Sequence, residues 1–162
     1  MIDNNISPFI KWAGGKRQLL PYIKEKMPLK YKNYIEPFIG GGAVLFGITP
    51  DKAIINDINK ALINVYNQIK YNPIELMDFL SKIDIQSDVE PKEYYYKKRE
   101  IFNDKIMKSE YDIELASLFI YLNKHCFNGL YRVNSKGLFN VPFNNSLAKS
   151  FNEDNIKAVS RY

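Results

Sequence analysis

Two textures of apolar and polar residues alternate along the chain. From Ile58, the apolar positions Ile58, Leu62, Val65 and Ile69 recur at the three- and four-residue spacing of a helical face. Ahead of them lie two short apolar runs, Tyr34-Ile35-Glu36 and Ala53-Ile54-Ile55-Asn56, each followed by turn chemistry. The first run is closed by Pro37 and Gly40-Gly41-Gly42, the second by Asp57, so both read as strands feeding helices. This spacing places Asp57 at the end of a strand and the mouth of a helix. The helix that starts near Gly42 is kept short by Gly47 and Pro50. Upstream, the loop Trp12-Ala13-Gly14-Gly15 enters a helix from about Lys16 to Lys26. Pro28 ends it, because the residue before a proline is pushed out of the helical region.

Downstream, Pro73 opens a helix predicted to end near Lys82, and Pro91 opens another that carries Tyr94-Tyr95-Tyr96. Ile113 to Lys124 is apolar enough to predict a buried helix. Asn128-Gly129 then signals a turn. Leu130-Tyr131-Arg132-Val133 and Leu138-Phe139-Asn140-Val141 flank Asn134-Ser135-Lys136-Gly137 as the strands of a β-hairpin. Asn152 is placed to cap a last helix. The order is two strand–turn–helix units followed by a mostly helical segment bearing a hairpin, an α/β chain without internal repeats.

Composition narrows the classes. A hydrophobic fraction of 46% and an aromatic fraction of 14% over 162 residues exclude a disordered chain and allow one globular core. Lys plus Arg outnumber Asp plus Glu by 23 to 18, a balance that favours a polyanionic partner without requiring one. Cys126 is the single cysteine, so no intrachain disulfide can form and a reducing, cytoplasmic location is expected. No run approaches the roughly 18 apolar residues of a spanning helix, and no signal peptide is evident, so no membrane association is expected. The only histidine, His125, lies beside Cys126. Two ligand types are too few for a metal cluster, and His125 reads as a helix-end residue.

The candidate chemistry lies in the first third of the chain. Glu36-Pro37-Phe38-Ile39-Gly40-Gly41-Gly42 follows a strand and precedes a helix, where glycines let a ligand approach backbone N–H groups. The dinucleotide fingerprint would need a third glycine where Leu45 stands, which argues against a nicotinamide oxidoreductase. A phosphate-binding P-loop fails as well: Gly15-Lys16 is followed by Arg17, and its first glycine would fall at Ile10. A nucleotide-like ligand without a pyrophosphate remains, as does a plain glycine turn. Asp57 stands where such folds grip a ribose diol, although a helix N-cap would look the same. Lys16, opening a helix against the macrodipole, hints at an anionic group nearby, such as a carboxylate. Trp12 alone is ambiguous between core and contact.

Taken together, these segments resemble a known family. Pro8-Phe9-Ile10-Lys11-Trp12-Ala13-Gly14-Gly15-Lys16-Arg17 is similar to the opening motif of adenine-N6 DNA methyltransferases of the GATC-methylating type. Glu36 to Gly42 resembles their S-adenosylmethionine loop, and Asn56-Asp57 their ribose-binding acid. Leu122-Asn123, Phe127-Asn128-Gly129-Leu130-Tyr131-Arg132 and Phe139-Asn140-Val141-Pro142-Phe143 resemble their target-recognition region. The matches occur in the family's order and cover most of residues 8 to 143.

The resemblance implies a partial Rossmann-like methyltransferase domain with an inserted helical target-recognition segment. Residues 1–72 would form the cofactor-binding part, and residues 73–162 the recognition segment with its hairpin near 130–141. Trp12, Lys16 and Asp57 would contact S-adenosylmethionine, with Phe38 and Gly40 shaping its pocket. Lys11, Leu130, Arg132 and Pro142 would contact base edges or backbone of double-stranded DNA. Phe127 and Asn128 would fill the gap left by an extruded adenine, since the target nitrogen is buried in the base stack until the base is flipped. An Arg on a hairpin in the major groove can take two bonds from a guanine edge, worth about 1–3 kcal/mol of discrimination. Without the resemblance, Arg132 would read as a solvated hairpin residue.

Two departures qualify it. Where the family has a basic, glycine-containing stretch after Pro142, this chain reads Phe143-Asn144-Asn145-Ser146-Leu147-Ala148-Lys149, with one cation. That weakens the phosphate grip expected there. The family's catalytic Asp-Pro-Pro-Tyr is also missing, because none of the 8 prolines is followed by another. A fragment that does not methylate DNA alone is therefore expected, completed by a partner supplying the other half or by self-association. The opposing expectation is a DNA-binding module without catalysis.

Overall fold

The computed structural model describes residues 6–162. Two short strands, β1 (Tyr34–Glu36) and β2 (Ala53–Ile55), pair in parallel with Tyr34 opposite Ala53 and Glu36 opposite Ile55. Among the described residues they form a two-stranded sheet inside a mostly helical molecule, which meets the expected α/β class with little β. The pairing continues past the strands, since Asn56 N–H donates to Glu36 O at 3.0 Å and Ile39 N–H to Asn56 O at 2.9 Å. The glycine run and Asp57 are thereby brought side by side at the carboxyl ends of the strands, the edge where open α/β sheets bind ligands.

The helices are α1 (Leu20–Lys26), α2 (Ala43–Ile48), α3 (Lys60–Tyr71), α4 (Pro73–Ser87), α5 (Pro91–Lys108), α6 (Ile113–His125) and α7 (Glu153–Arg161). Several bounds differ from those expected. Lys16–Leu19 is a 3-10 turn, and the α-helix begins only at Leu20. Pro21 explains this: it has no N–H to bond back into the preceding turn, and its ring crowds the carbonyl four residues earlier. Helix α4 reaches Ser87 rather than Lys82, because Leu76, Met77, Leu80, Ile83 and Ser87 stay buried along one face and no breaker intervenes. Helix α3 starts later than expected, so Ile58 lies outside it and is fully exposed. The cap of α3 is Asn59, whose side chain accepts from Leu62 N–H at 3.1 Å. Asp57 is left free of that duty. Asn152 does cap α7, accepting from Asn155 N–H at 2.8 Å.

Helix α6 is the axis of the core. Every residue from Leu115 to Asn123 is buried, which an unbroken apolar stretch with two small polar residues permits. Helices α3, α4 and α5 pack around it, and α7 lies on α3 and α4. One hydrophobic cluster runs from Ile10 to Ile156, so the stretches before and after residue 72 share a single core. Removing a side chain such as Leu118 from its centre would cost about 2–5 kcal/mol.

The hairpin departs most from its expected form. The chain reverses at Asn134 to Gly137, where Gly137 has φ +76° and Asn134 N–H donates to Leu138 O at 2.9 Å. Neither limb is a strand, however, and a single antiparallel bridge joins Val133 to Phe139. The second limb bonds to helix α5 as well. Asn103 accepts from Phe139 N–H at 2.8 Å and donates to Phe139 O at 3.0 Å, while Tyr95 O–H donates to Val141 O at 2.9 Å. On the side facing the first limb, Asn140 N–H donates to Arg132 O at 3.1 Å, but Leu138 N–H is taken by Asn134 Oδ1 and Pro142 has no N–H, so the ladder stops at the single bridge.

The same amide clamp recurs twice. Asn123 of α6 accepts from Lys11 N–H and donates to Lys11 O, both at 2.9 Å. Asn155 of α7 does likewise to Ser7, both bonds at 3.0 Å. Three helices thus hold irregular segments through a carboxamide that mimics a neighbouring strand.

Candidate functional site

The glycine run is shaped by close contacts that leave no room for side chains. Gly40 (φ +50°) lies against the indole of Trp12, and a Cβ there would come within 2.6 Å of the Trp12 ring. Gly42 (φ +76°) lies equally close to Phe46 and to the Tyr66 hydroxyl. Tyr66 O–H donates to Gly40 O at 2.9 Å, and Gly40 N–H donates to Asp57 Oδ2 at 3.0 Å. Asp57 Oδ1 accepts from Asn59 N–H at 3.0 Å. The carboxylate is fixed by one backbone bond on each oxygen, and each oxygen keeps acceptor capacity for a further donor.

These contacts wall a cavity of about 440 Å³ lined by Lys11, Trp12, Lys16, Glu36, Phe38, Gly40 and Asp57, among others. The five residues named from sequence for cofactor contact, Trp12, Lys16, Phe38, Gly40 and Asp57, all face this one space. Phe38 is 75% exposed at its mouth. Glu36 was overlooked as a site residue although it opens the glycine motif. Burial raises its carboxyl above the ordinary range, against the opposing pull of the Tyr34 hydroxyl, which donates to it at 2.7 Å, and of the Lys16 charge. Among the described residues no group of three or more His, Cys, Asp or Glu could hold a metal ion.

A larger and more polar cavity, about 710 Å³, lies on the other side of the Pro8–Lys11 segment, between it and α7. Volume favours that space. The chemistry favours the smaller one, where a fixed carboxylate, two glycines with positive φ and aromatic walls converge.

The residues named for nucleic-acid contact meet the pocket at Lys11. Asn123 Nδ2–H reaches Gly129 O at 3.0 Å as well as Lys11 O, so one amide ties the pocket wall to the turn Phe127–Gly129. Gly129 is packed under the Lys11 side chain, where a Cβ would lie 2.5 Å away. In that turn Asn128 adopts φ +56°, a conformation asparagine tolerates, and both Phe127 and Asn128 are exposed. Pro142 is exposed, and its carbonyl accepts from Phe127 N–H at 2.8 Å. Leu130 is half-buried against the core. Arg132 is exposed, but its Nε–H already donates to Asn140 Oδ1 at 2.8 Å across the hairpin. Its guanidinium is oriented in advance. Phe127 and Pro142 are directly bonded, Lys11 joins their turn through Asn123 and Gly129, and Asn128, Leu130 and Arg132 lie on the same stretch.

His125 and Cys126 stand apart from this chemistry. His125 ends α6, buried, with Nδ1 at 2.9 Å from Ser146 O and Nε2 at 3.1 Å from Ser150 Oγ. Cys126 donates weakly to Asn123 O and Leu130 O, and burial pushes its thiol up to about 11.

Comparison with known proteins gives a consistent result. Residues 12–162 match the profile of the D12 class N6 adenine-specific DNA methyltransferases. The chain is 45% identical over 159 residues to the type II methyltransferase M1.LlaDCHI of Lactococcus lactis subsp. cremoris, a match covering 98% of this chain and 55% of that protein. It is 43% identical to the type II methyltransferase M.MjaIII of Methanocaldococcus jannaschii, covering 96% and 58% respectively. It is 41% identical to the DNA adenine methylase of Escherichia coli K12, covering 83% and 46%. The chain spans about half the length of these relatives.

Proposed function

The chain belongs to the D12 class N6 adenine-specific DNA methyltransferase family, and from that premise we propose that it supplies the cofactor pocket and target-reading surface of an enzyme that methylates adenine N6 in duplex DNA, at GATC. In this reading residues 1–72 are the cofactor-binding part of a Rossmann-like domain, and residues 73–162 are an inserted recognition segment. The division is one of task, since both share a core. The observation that carries the reading is the convergence of Trp12, Lys16, Phe38, Gly40 and Asp57 on one cavity that adjoins the Lys11–Gly129 bridge.

The lining suits S-adenosylmethionine by its donor set. Asp57 offers two oxygens with spare lone pairs to a ribose diol, and its two backbone bonds hold the carboxylate oriented. Lys16 supplies a cation for the amino-acid carboxylate, and Glu36 opposite it an acceptor for the ammonium. Trp12 and Phe38 offer apolar walls. When bound, the cofactor supplies a methyl group activated on a sulfonium. On the DNA side, Arg132 offers its unpaired guanidinium edge to a guanine, and Lys11 a charge to the target strand. Phe127 stands exposed where an unstacked gap would be filled. No Asp-Pro-Pro-Tyr occurs among the 162 residues, so the groups that hold the adenine amino group are not assigned here.

Calorimetric titration of the chain with S-adenosylmethionine tests this reading. Binding is expected, with a loss of roughly tenfold or more in Asp57→Ala, because a charge-assisted bond contributes about 1.5–3 kcal/mol. Salt-sensitive duplex binding with no cofactor uptake would instead select a non-catalytic DNA-binding module.

A further inference from the structure

Tyr131 lies between the two proposed functional surfaces. Its ring stacks on Trp12 with centroids 5.7 Å apart and on Phe119 at 5.2 Å, the planes within 23° and 16°. It also packs on Phe139, whose backbone Asn103 clamps. One ring therefore touches both the Trp12 wall of the cavity and the clamped limb of the hairpin. In the chain, Tyr131 sits between Leu130 and Arg132, the residues proposed to read DNA.

The stack joins a residue of the cavity wall to the backbone between two residues proposed to read DNA, a placement that core packing alone does not require. A ligand that fixes Trp12 limits the positions Tyr131 can occupy, and with it the backbone that carries Leu130 and Arg132. A duplex that fixes Leu130 and Arg132 has the converse effect on Trp12. We infer that Tyr131 is a positioning residue that couples cofactor binding to target reading, so that each ligand strengthens the other's hold. Linkage requires the two effects to be equal as factors in affinity. The inference rests on the functional reading above.

The chain carries a built-in reporter, because Trp12 is its only tryptophan. The test is a set of titrations of the 162-residue chain with S-adenosylmethionine and with a labelled GATC duplex, each alone and in the presence of the other. Trp12 emission is followed throughout. The wild-type chain should show each ligand tightening the other by the same factor, about fivefold or more. Duplex alone should change Trp12 emission. In Tyr131→Leu both ligands should still bind, the factor should fall to one, and duplex should no longer move the emission. Tyr131→Phe keeps the stack and should keep both the emission response and the coupling factor.

Retention of the full factor in Tyr131→Leu overturns the inference. So does a wild-type chain that binds both ligands independently, or one that binds duplex while its Trp12 emission stays unmoved; these outcomes need no variant to fold. Absence of binding in the single-ligand titrations is a different failure. It removes the functional reading, and this inference with it, before any coupling is measured.

Discussion

Gly40 shows what single positions demand here. Its φ of +50° and its distance from Trp12 exclude any Cβ, since the added atom would fall 2.6 Å from the indole. Gly40→Ala is therefore expected to destabilise the chain by about 1–3 kcal/mol, the cost of a strained backbone position, and to displace Trp12 from the cavity. Chemical denaturation and Trp12 emission would register the two effects separately. The glycine run was legible in the sequence as a place of close approach. What approaches it was not, because Trp12 is 28 positions away (40 − 12) and no local rule links them. Asp57 was legible as an acid at a strand end. Its rival role as a helix cap was settled only by geometry, with Asn59 taking the cap and Asp57 turning to Gly40. Glu36 was passed over because a carboxylate at the end of a three-residue strand carries no distinguishing spacing. Its burial becomes visible only once the cavity is formed.

At the scale of elements, the helices were legible as elements from their apolar faces and prolines, as in α6, whereas ends were misplaced where the sequence offers no sharp signal, as at the end of α4, or where a proline lies just inside the first turn, as at Pro21. The hairpin limbs misled for another reason. Alternating residues flanking a turn predict a ladder, but Leu138 N–H turns to Asn134 Oδ1, Pro142 has no N–H to give, and Asn103 and Tyr95 hold the outer edge of the second limb. Asn103→Ala should leave the Phe139 N–H and C=O without partners and cost about 1–3 kcal/mol per unsatisfied group at most. Duplex binding should weaken while binding of S-adenosylmethionine is largely retained, a split that parallel titrations would reveal. A second element-level link is His125, which joins the end of α6 to Ser150 and, through it, to Asp84 of α4. Burial holds its imidazole below the ordinary range, against the pull of the Asp84 charge. A base with a depressed folded pKa is stabilising above its unfolded pKa of about 6.5, and that contribution is lost as pH falls below it. Melting temperatures should drop as the pH falls below about 6.5, and His125→Gln should flatten that part of the profile.

The whole molecule has one well-filled core and one bare flank. Ile35 (61% exposed) and Ile54 (64%) stand opposite each other on the sheet, and Leu29 and Ile58 are more exposed still. Exposed apolar side chains beside unpaired strand edges favour association, even where the strands are short. Concentration-dependent oligomers are expected by light scattering, and Ile35→Lys with Ile54→Lys should reduce them without lowering the melting temperature by more than about 1 kcal/mol equivalent, since neither side chain is buried. The bare flank was foreseeable from two apolar strands and few others, and the burial of α6 from its unbroken apolar stretch, but which helices would surround it was not, because no one helix carries the address of its neighbour. The amide clamps add a consequence of a different kind. A strand held by a ladder must keep its register, and an inserted residue would turn every later side chain to the wrong face. Asn103 grips the second limb at Phe139 and Tyr95 grips it at Val141, both from helix α5 and not from the first limb. The tip at Asn134–Gly137 lies outside these grips and can lengthen, shorten or change composition without displacing them, which would make the proposed reading surface easy to retarget over evolutionary time while the pocket beneath stays fixed.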